Sequence, residues 1–550
     1  MKAFRYTQEM EARYTQQGWW GGATFLDYLD RNARQIPHKE ALTDSKNRMT
    51  FAQVKQWCDR VALGLLKLGL QKDDVVMVLL PNIAEALLLR FALPKAGIIG
   101  TVGPMTLRQR ECEYALEYVE AKAIFMVPQF HNFDYWDMIQ KIRPNLPHLK
   151  HIIIAGDQVP PGAISLKEMA QSPLEEEYPP GHLEKTSMGL HDVIALGMTT
   201  GSTGMPKFAE MTHWQTWSGP IRAKAWNITE KDVCAAIASL VGGLGHTIPL
   251  FIAPYVGARV VLLERFDGEG ALRIIEKERV TVASGVPAQL ALMLRHPNFA
   301  RYDVSSLRVF FCAGAVLPAD FAKEVEEKMG CRIVTAFGVL EGCPISLTHY
   351  DDPVDVRRAS VGRPFPGNEV KLVDEEGRAV PEGGAGEFLV RGPYTAGGLY
   401  KDPEGTLKMW GGQKDGWCAT GDLGKIDAAG NLHIVGRRKD IIIRGGQNIA
   451  PAEVEALLVA HPKIVNVAIV PMPDPVMGEK ACACVITKPG LDLTFEEMVS
   501  FLKEKGIAPY KLPERLELFD QFPMLADAQK ISKRELAAHV AEKLKAEGKI

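Results

Sequence analysis

Short runs of β-branched and aliphatic residues alternate along this chain with longer amphipathic runs, and that alternation restricts its fold more than any other feature. DVVMVLL at 74–80 precedes AEALLLRFALPKAG, and ARVVLL at 258–263 precedes GEGALRIIEKERV. RVFFC at 308–312 precedes ADFAKEVEEKMG, which is followed by RIVTAFG. Strand, helix, strand at this spacing predicts α/β layers around a largely parallel sheet.

After about residue 360 the texture changes. EVKLVDEEGRAV, GEFLVRG and NLHIVG read as short strands between Gly- and Asp-rich turns, which predicts a β-rich subdomain of hairpins. From Ile441 a further unit starts: IIIRGG, a helix in PAEVEALLVAH, strands in IVNVAIVPM and ACACVITK, and a helix in TFEEMVSFLKEKG. The charged stretch Gly436-Arg437-Arg438-Lys439-Asp440 is the expected join. The expected class is therefore α/β: a large N-terminal domain of layered α/β sheets with a β-rich subdomain over 1–436, a connector at 437–440, and a small C-terminal α+β domain over 441–550.

A length of 550 residues calls for more than one core. Apolar and charged fractions of 46% and 24% are those of a soluble globular protein. A net charge of −3 supplies no global basic field for nucleic acid or an anionic membrane. Glu9, Glu11 and Arg13 break up the N-terminus, so no secretory signal is expected. The most apolar stretch, 75–99, is interrupted by Pro81, Asn82, Glu85, Arg90 and Lys95 and will not span a membrane unaided. Nine scattered cysteines do not make a disulfide framework, and a reducing cytoplasm fits them best. Cys482 and Cys484 share one face of a strand-like run, as a thiol pair or simply as small apolar residues.

The most informative stretch is Met198-Thr199-Thr200-Gly201-Ser202-Thr203-Gly204-Met205-Pro206-Lys207, after the strand-like DVIALG. Hydroxyl side chains and backbone N–H groups freed by glycine can turn toward a polyphosphate, with Lys207 adding positive charge. A plain Ser/Thr/Gly surface loop is the other reading. A Walker loop is excluded, because Pro206 stands where its second glycine belongs and Phe208 follows the lysine.

With the stretches that follow, the chain resembles the AMP-forming acyl and aryl acid ligases from about Trp19 to Leu536. Thr199 to Lys207 match the phosphate loop and Thr212-His213 the Thr-His after it. Phe337-Gly338-Val339-Leu340-Glu341 match the aromatic-Gly-x-x-Glu element, and Gly386-Glu387 through Arg391-Gly392-Pro393 the next one. Asp415-Gly416-Trp417 with Thr420-Gly421-Asp422-Leu423 match the ribose motif. Gly436 to Asp440, then Arg444-Gly445-Gly446-Gln447-Asn448-Ile449, match the hinge and the loop beyond it. The resemblance implies ATP, Mg²⁺ and coenzyme A. It places Thr199, Thr200, Gly201, Ser202, Thr203, Gly204 and Lys207 on the phosphates, and Gly314, Ala315, Ala336, Phe337, Asp422 and Arg437 around adenine and ribose. It implies catalytic roles for Lys530, Glu341 and His213, with Glu341 also the Mg²⁺ ligand. Gly445 and Gly446 would line the tunnel for the thiol arm, and the small domain would be mobile about Lys439. Taken singly, Asp422 reads as a turn residue, Phe337 as a core aromatic, and Glu341 and Lys530 as solvated charges.

Two positions depart from the family pattern. Gln529 replaces the glycine before the adenylation lysine, a change that would reorient its loop. Leu340 stands where many members carry a hydroxyl near the α-phosphate, as in aryl-acid members that also lack it.

GWWGGATFLDYLD, Leu80 to Glu85 and Phe337 to Gly342 look closest to aryl-acid ligases, which read a ring hydroxyl with a His-Asn pair. Here Gly242-Gly243 occupy that place, with Leu244 beside them; these and Gly338 form the expected acid pocket. Leaving a buried ring hydroxyl without a partner costs about 1–3 kcal/mol. The resemblance therefore implies an unhydroxylated ring acid, benzoate-like or alicyclic, or a medium or branched acid. His246 either lines that pocket or is structural. Free coenzyme A is the expected acceptor, a carrier-protein phosphopantetheine the alternative. The partners are small molecules, with no nucleic acid and no membrane, and a homodimer stays open. Rival readings on the same fold are a luciferase-like oxygenase and a non-catalytic nucleotide binder.

Overall fold

The computed structural model describes residues 1–199, 205–445, 447–525 and 530–550; for Thr199, Gln215, Thr216, Cys343, Asn448, Leu525 and Lys530 it describes the backbone alone. Two large sheets are built from the alternating runs. In the first, Val309–Cys312, Val282–Gly285, Val233–Ala236, Arg259–Leu262 and Glu40–Thr43 lie parallel, and Arg332–Val339 joins them on one side. In the second, Val193–Thr199, Ile99–Val102, Val75–Leu79, Ala123–Met126 and His151–Ile154 are parallel, with Lys207–Thr212 antiparallel at the edge. Strands such as Val75–Leu79 are buried along their whole length, as a sheet covered on both faces requires. The Ala84–Lys95 helix that follows is buried almost all round, so it fills the space between layers and does not face water.

The hairpins expected after residue 360 form a four-stranded antiparallel sheet: Glu369–Val373, Gly386–Arg391, Cys418–Ile426 and Leu432–Arg437. Its core holds Phe337, Phe388, Trp410 and Cys418. Leu432–Arg437 runs to Arg437, a single 3₁₀ turn spans Arg438–Asp440, and Ile442–Arg444 enters a different sheet. That sheet pairs Ile464–Asp474 with Gly478–Thr487 along ten residue positions and adds Arg515–Leu518 in parallel. The class is mixed α/β with a large N-terminal and a small C-terminal domain, as the periodicity predicts. Cys482 and Cys484 face the Lys533–Ala546 helix in a core with Leu536 and Val540. Both thiols are buried, and each other's proximity and burial push Cys482 far above the usual thiol range. They act as small apolar residues. Among the described residues no helix is long and apolar enough to cross a membrane.

Candidate active site

Loops beyond the strands of the two large sheets, the place where open α/β sheets bind ligands, carry the phosphate stretch, Gly314 and Ala315, whereas Asp422 and Arg437 lie on the four-stranded sheet and Gly445 and Lys530 in the small domain. A buried amide ties the two large sheets together. Asn82, following Val75–Leu79, donates from its side chain to the Ala238 carbonyl at 2.9 Å and accepts from Leu240 N–H at 2.9 Å. This fixes the loop entering the acid pocket relative to the second sheet.

The phosphate stretch connects an antiparallel pair in which Thr199 opposes Lys207. Thr200, Gly201, Ser202, Thr203 and Gly204 lie outside the described residues. Lys207 is half-exposed and pairs with Asp402 at 3.1 Å, the carboxylate that caps the Pro403–Met409 helix. Burial works against the Asp402 charge, but the Gly405 N–H and Lys207 outweigh it and hold its pKa below the usual value. Leu340 packs on the strand leading into the loop: a Cβ at Gly197 would stand 3.0 Å from both Leu340 methyl groups. The departure from a hydroxyl is thus filled by packing. His213 is buried, its Nε2 is 3.3 Å from the Met188 carbonyl, and its ring lies against Phe25. Burial pushes its pKa down to about 4, so the neutral ring is the stable form. These surroundings pack the ring below the hairpin and keep it uncharged at neutral pH.

Phe337 opposes Ser346 next to a bulge that separates it from Gly338, which is exposed. Its ring is nearly buried and tilts against Phe388 with centroids 5.5 Å apart, so the core reading accounts for one face. Ala336 is partly buried beside it, and Gly314 and Ala315 are exposed just beyond Val309–Cys312, with Gly314 at φ +85°. Glu341 is partly buried, and its carbonyl accepts from Ala396 N–H at 2.8 Å. The N-terminus fixes that contact in turn. Arg5, buried, donates to the Thr395 hydroxyl at 3.0 Å and to the Ala396 and Lys414 carbonyls, and lies over the Trp410 ring.

Asp422 and Arg437 oppose each other on adjacent strands and form an ion pair of 2.7 Å, with Asp422 buried. Gly421 beside it has φ +73° and nothing within 4 Å of where a Cβ would stand, so the turn opens onto free space. An acceptor carboxylate at the rim of an open turn fits a ribose diol. Glu387, buried, accepts from Gly421 N–H at 2.9 Å and pairs with Arg438 at 3.0 Å. It links the ribose turn to the 3₁₀ turn that holds the exposed Lys439. The sequence motif marked Glu387 only as part of a match.

In the acid-pocket loop, Gly245 is squeezed: a Cβ there would meet the Ser239 carbonyl at 1.8 Å. Gly243 is exposed with nothing within 4 Å of its missing Cβ, and Gly242 and Leu244 are partly buried. Gly445 has φ +53°, and a Cβ would strike the Met477 methyl at 2.4 Å, so the turn itself demands glycine. Gly446 lies outside the described residues. Lys530 pairs through its backbone with Leu525 in a short hairpin; residues 526–529, Gln529 among them, lie outside the description.

Two α/β sheets, a β-rich subdomain and a second small domain are the architecture of adenylate-forming acid ligases. The family models agree: residues 29–400 match "AMP-binding enzyme" and 453–528 match "AMP-binding enzyme C-terminal domain". The chain is 32% identical over 547 residues to the 2,3-dihydroxybenzoate-AMP ligase of Bacillus subtilis (strain 168), covering 98% of each. It is 31% identical to the medium-chain fatty-acid–CoA ligase of Escherichia coli (strain K12), covering 94% of this chain and 91% of that one. The crystal structure of the anthranilate CoA ligase AuaEII in complex with anthranoyl-AMP superposes with a TM-score of 0.86 at 28% identity, over 96% of this chain and 98% of that one. The chain belongs to the AMP-binding enzyme family of adenylate-forming acid ligases.

Proposed function

We propose that this enzyme is an ATP-dependent carboxylate–CoA ligase that converts an unhydroxylated ring acid, or a medium or branched one, to its acyl-CoA through an acyl-adenylate. What supports the reading is Gly242-Gly243, which offer no side chain at the place where aryl-acid ligases read a ring hydroxyl, with nothing within 4 Å of where a Cβ at Gly243 would stand. The large domain, 1–436, binds ATP and acid; the segment 437–440 is the hinge; the small domain, 441–550, carries Lys530.

The acid's carboxylate attacks the α-phosphorus and pyrophosphate leaves, so catalysis is positioning and charge stabilisation. The loop ending at Lys207 holds the polyphosphate, Phe337 and Asp422 orient the nucleoside, and Lys530 neutralises charge between carboxylate and α-phosphate. A single part-buried carboxylate at Glu341 fits a Mg²⁺ ion, which keeps most of its water and takes other ligands from phosphate. Rotation about Lys439 then withdraws Lys530 and brings Gly445 and Gly446 to the acyl-adenylate for thiol attack.

The test is AMP and pyrophosphate release from a panel of acids with coenzyme A, with product mass. Acyl-CoA from ring acids lacking a 2-hydroxyl is the expected product. A clear preference for 2-hydroxybenzoates, or product only with a carrier protein, would favour the carrier-loading alternative, whose relative is the Bacillus subtilis ligase.

A further inference from the structure

Arg90 interrupts the apolar middle of the Ala84–Lys95 helix, between Leu89 and Phe91. Its neighbours Leu88, Leu89, Phe91 and Ala92 are buried, yet Arg90 keeps part of its surface accessible. The same is true of His246, set between the buried Gly245 and Thr247. Arg90 and His246 are thus two part-buried polar side chains within an otherwise buried layer, and they lie close enough to interact. Arg90 donates to the Leu240 carbonyl at 3.1 Å, and the close approach of Gly245 to the Ser239 carbonyl folds His246 back over that point. Gly243, with its empty Cβ position, lies in the same loop.

The chain treats its other buried cation in this helix differently. Lys95 has two carboxylates, Asp30 and Asp59, each at 2.7 Å. For Arg90, among the described residues, the recorded partner is one carbonyl, and burial unopposed by a carboxylate pulls its pKa to about 10. His246 has a buried Nδ1 with no hydrogen-bond partner among the described residues, and burial together with Arg90 and Arg222 lowers its pKa to about 3. A largely shielded guanidinium offered a single carbonyl gains free energy when a ligand supplies an anion.

Resting on the ligase reading above, we infer that Arg90 binds a second carboxylate on the acid, at the end of the ring away from the carboxylate being activated, with the neutral His246 beside it. The substrate class is then a ring dicarboxylate converted to its monothioester, and Arg90 is a specificity-determining residue.

The experiment measures AMP formation with coenzyme A, and ATP–pyrophosphate exchange without it. The probes are terephthalate and trans-cyclohexane-1,4-dicarboxylate against benzoate and cyclohexanecarboxylate. The wild-type enzyme is expected to favour the dicarboxylates by roughly tenfold or more in kcat/KM. Arg90→Met should lose about 10²-fold on dicarboxylates, mainly through KM, and change little on monocarboxylates. Arg90→Lys should retain an intermediate preference and stands in if the methionine variant does not fold. Equal loss on both acid classes in a folded variant, or wild-type preference for the monocarboxylates, overturns the inference while leaving the ligase reading intact. Failure of every acid to yield AMP or exchange takes both down.

Discussion

At the scale of single residues, two titratable groups near the proposed nucleotide site are set by what buries them: Asp422 as a paired charge and His213 as a neutral ring. Asp422 is buried against Arg437, so its carboxylate is oriented before any ribose arrives. Asp422→Asn preserves shape and removes charge. It should raise the KM for ATP by roughly 10–100-fold with a smaller effect on the KM for the acid, matching the worth of a charged hydrogen bond. Initial-rate kinetics at varied ATP would show it. His213 makes a pH prediction. Its pKa falls from an ordinary 6.5 to about 4 on folding, so between those values the unfolded chain binds the extra proton. Stability should therefore be undiminished above pH ~6.5 and decline as pH falls toward ~4, by up to about 3 kcal/mol from this residue. Urea unfolding of His213→Gln at pH 7 and pH 4.5 should show a shallower decline than the wild type.

At the scale of elements, Gly197 and Leu340 couple the hairpin that ends at Lys207 to the strand that carries Phe337 and the turn after it that carries Glu341. Gly197→Ala places a methyl 3.0 Å from both Leu340 methyls and should destabilise by about 1–3 kcal/mol. In a Leu340→Ala background the same change should cost much less, so a double-mutant cycle by chemical unfolding would show a favourable coupling. How much of this level could be read beforehand depended on distance along the chain. Val75–Leu79 with Ala84–Lys95, and Val309–Cys312 with Ala319–Met329, were legible because periodicity is local. Cys418–Ile426 was legible only as a ribose motif, because Thr420-Gly421-Asp422 breaks the apolar alternation of a strand. Arg90 was visible, but as an interruption of an apolar run; its missing carboxylate emerges only when Leu240 and His246 fold over it. The burial of His213 is likewise decided by Phe25 and Met188, far from it in sequence.

At the scale of the whole molecule, one arginine bridges the two domains. Arg295, on the Pro287–Leu294 helix's C-cap, donates to the Val465 carbonyl at 3.0 Å, a longer contact reaching Ile464, while its guanidinium lies over Phe321. Removing it should free the small domain and loosen the already exposed turn with Arg438 and Lys439. Limited trypsin digestion of Arg295→Ala should cut there on the order of tenfold faster, the worth of one charge-assisted hydrogen bond. Unchanged cleavage would mean that other contacts set the arrangement.

The first half-dozen residues have a practical consequence. Since Arg5 anchors the segment whose backbone holds Glu341, removing residues 1–6 would loosen the carboxylate proposed for Mg²⁺ some 340 positions downstream. A preparation nicked at its very start would then keep its circular dichroism and still need far more Mg²⁺ to turn over.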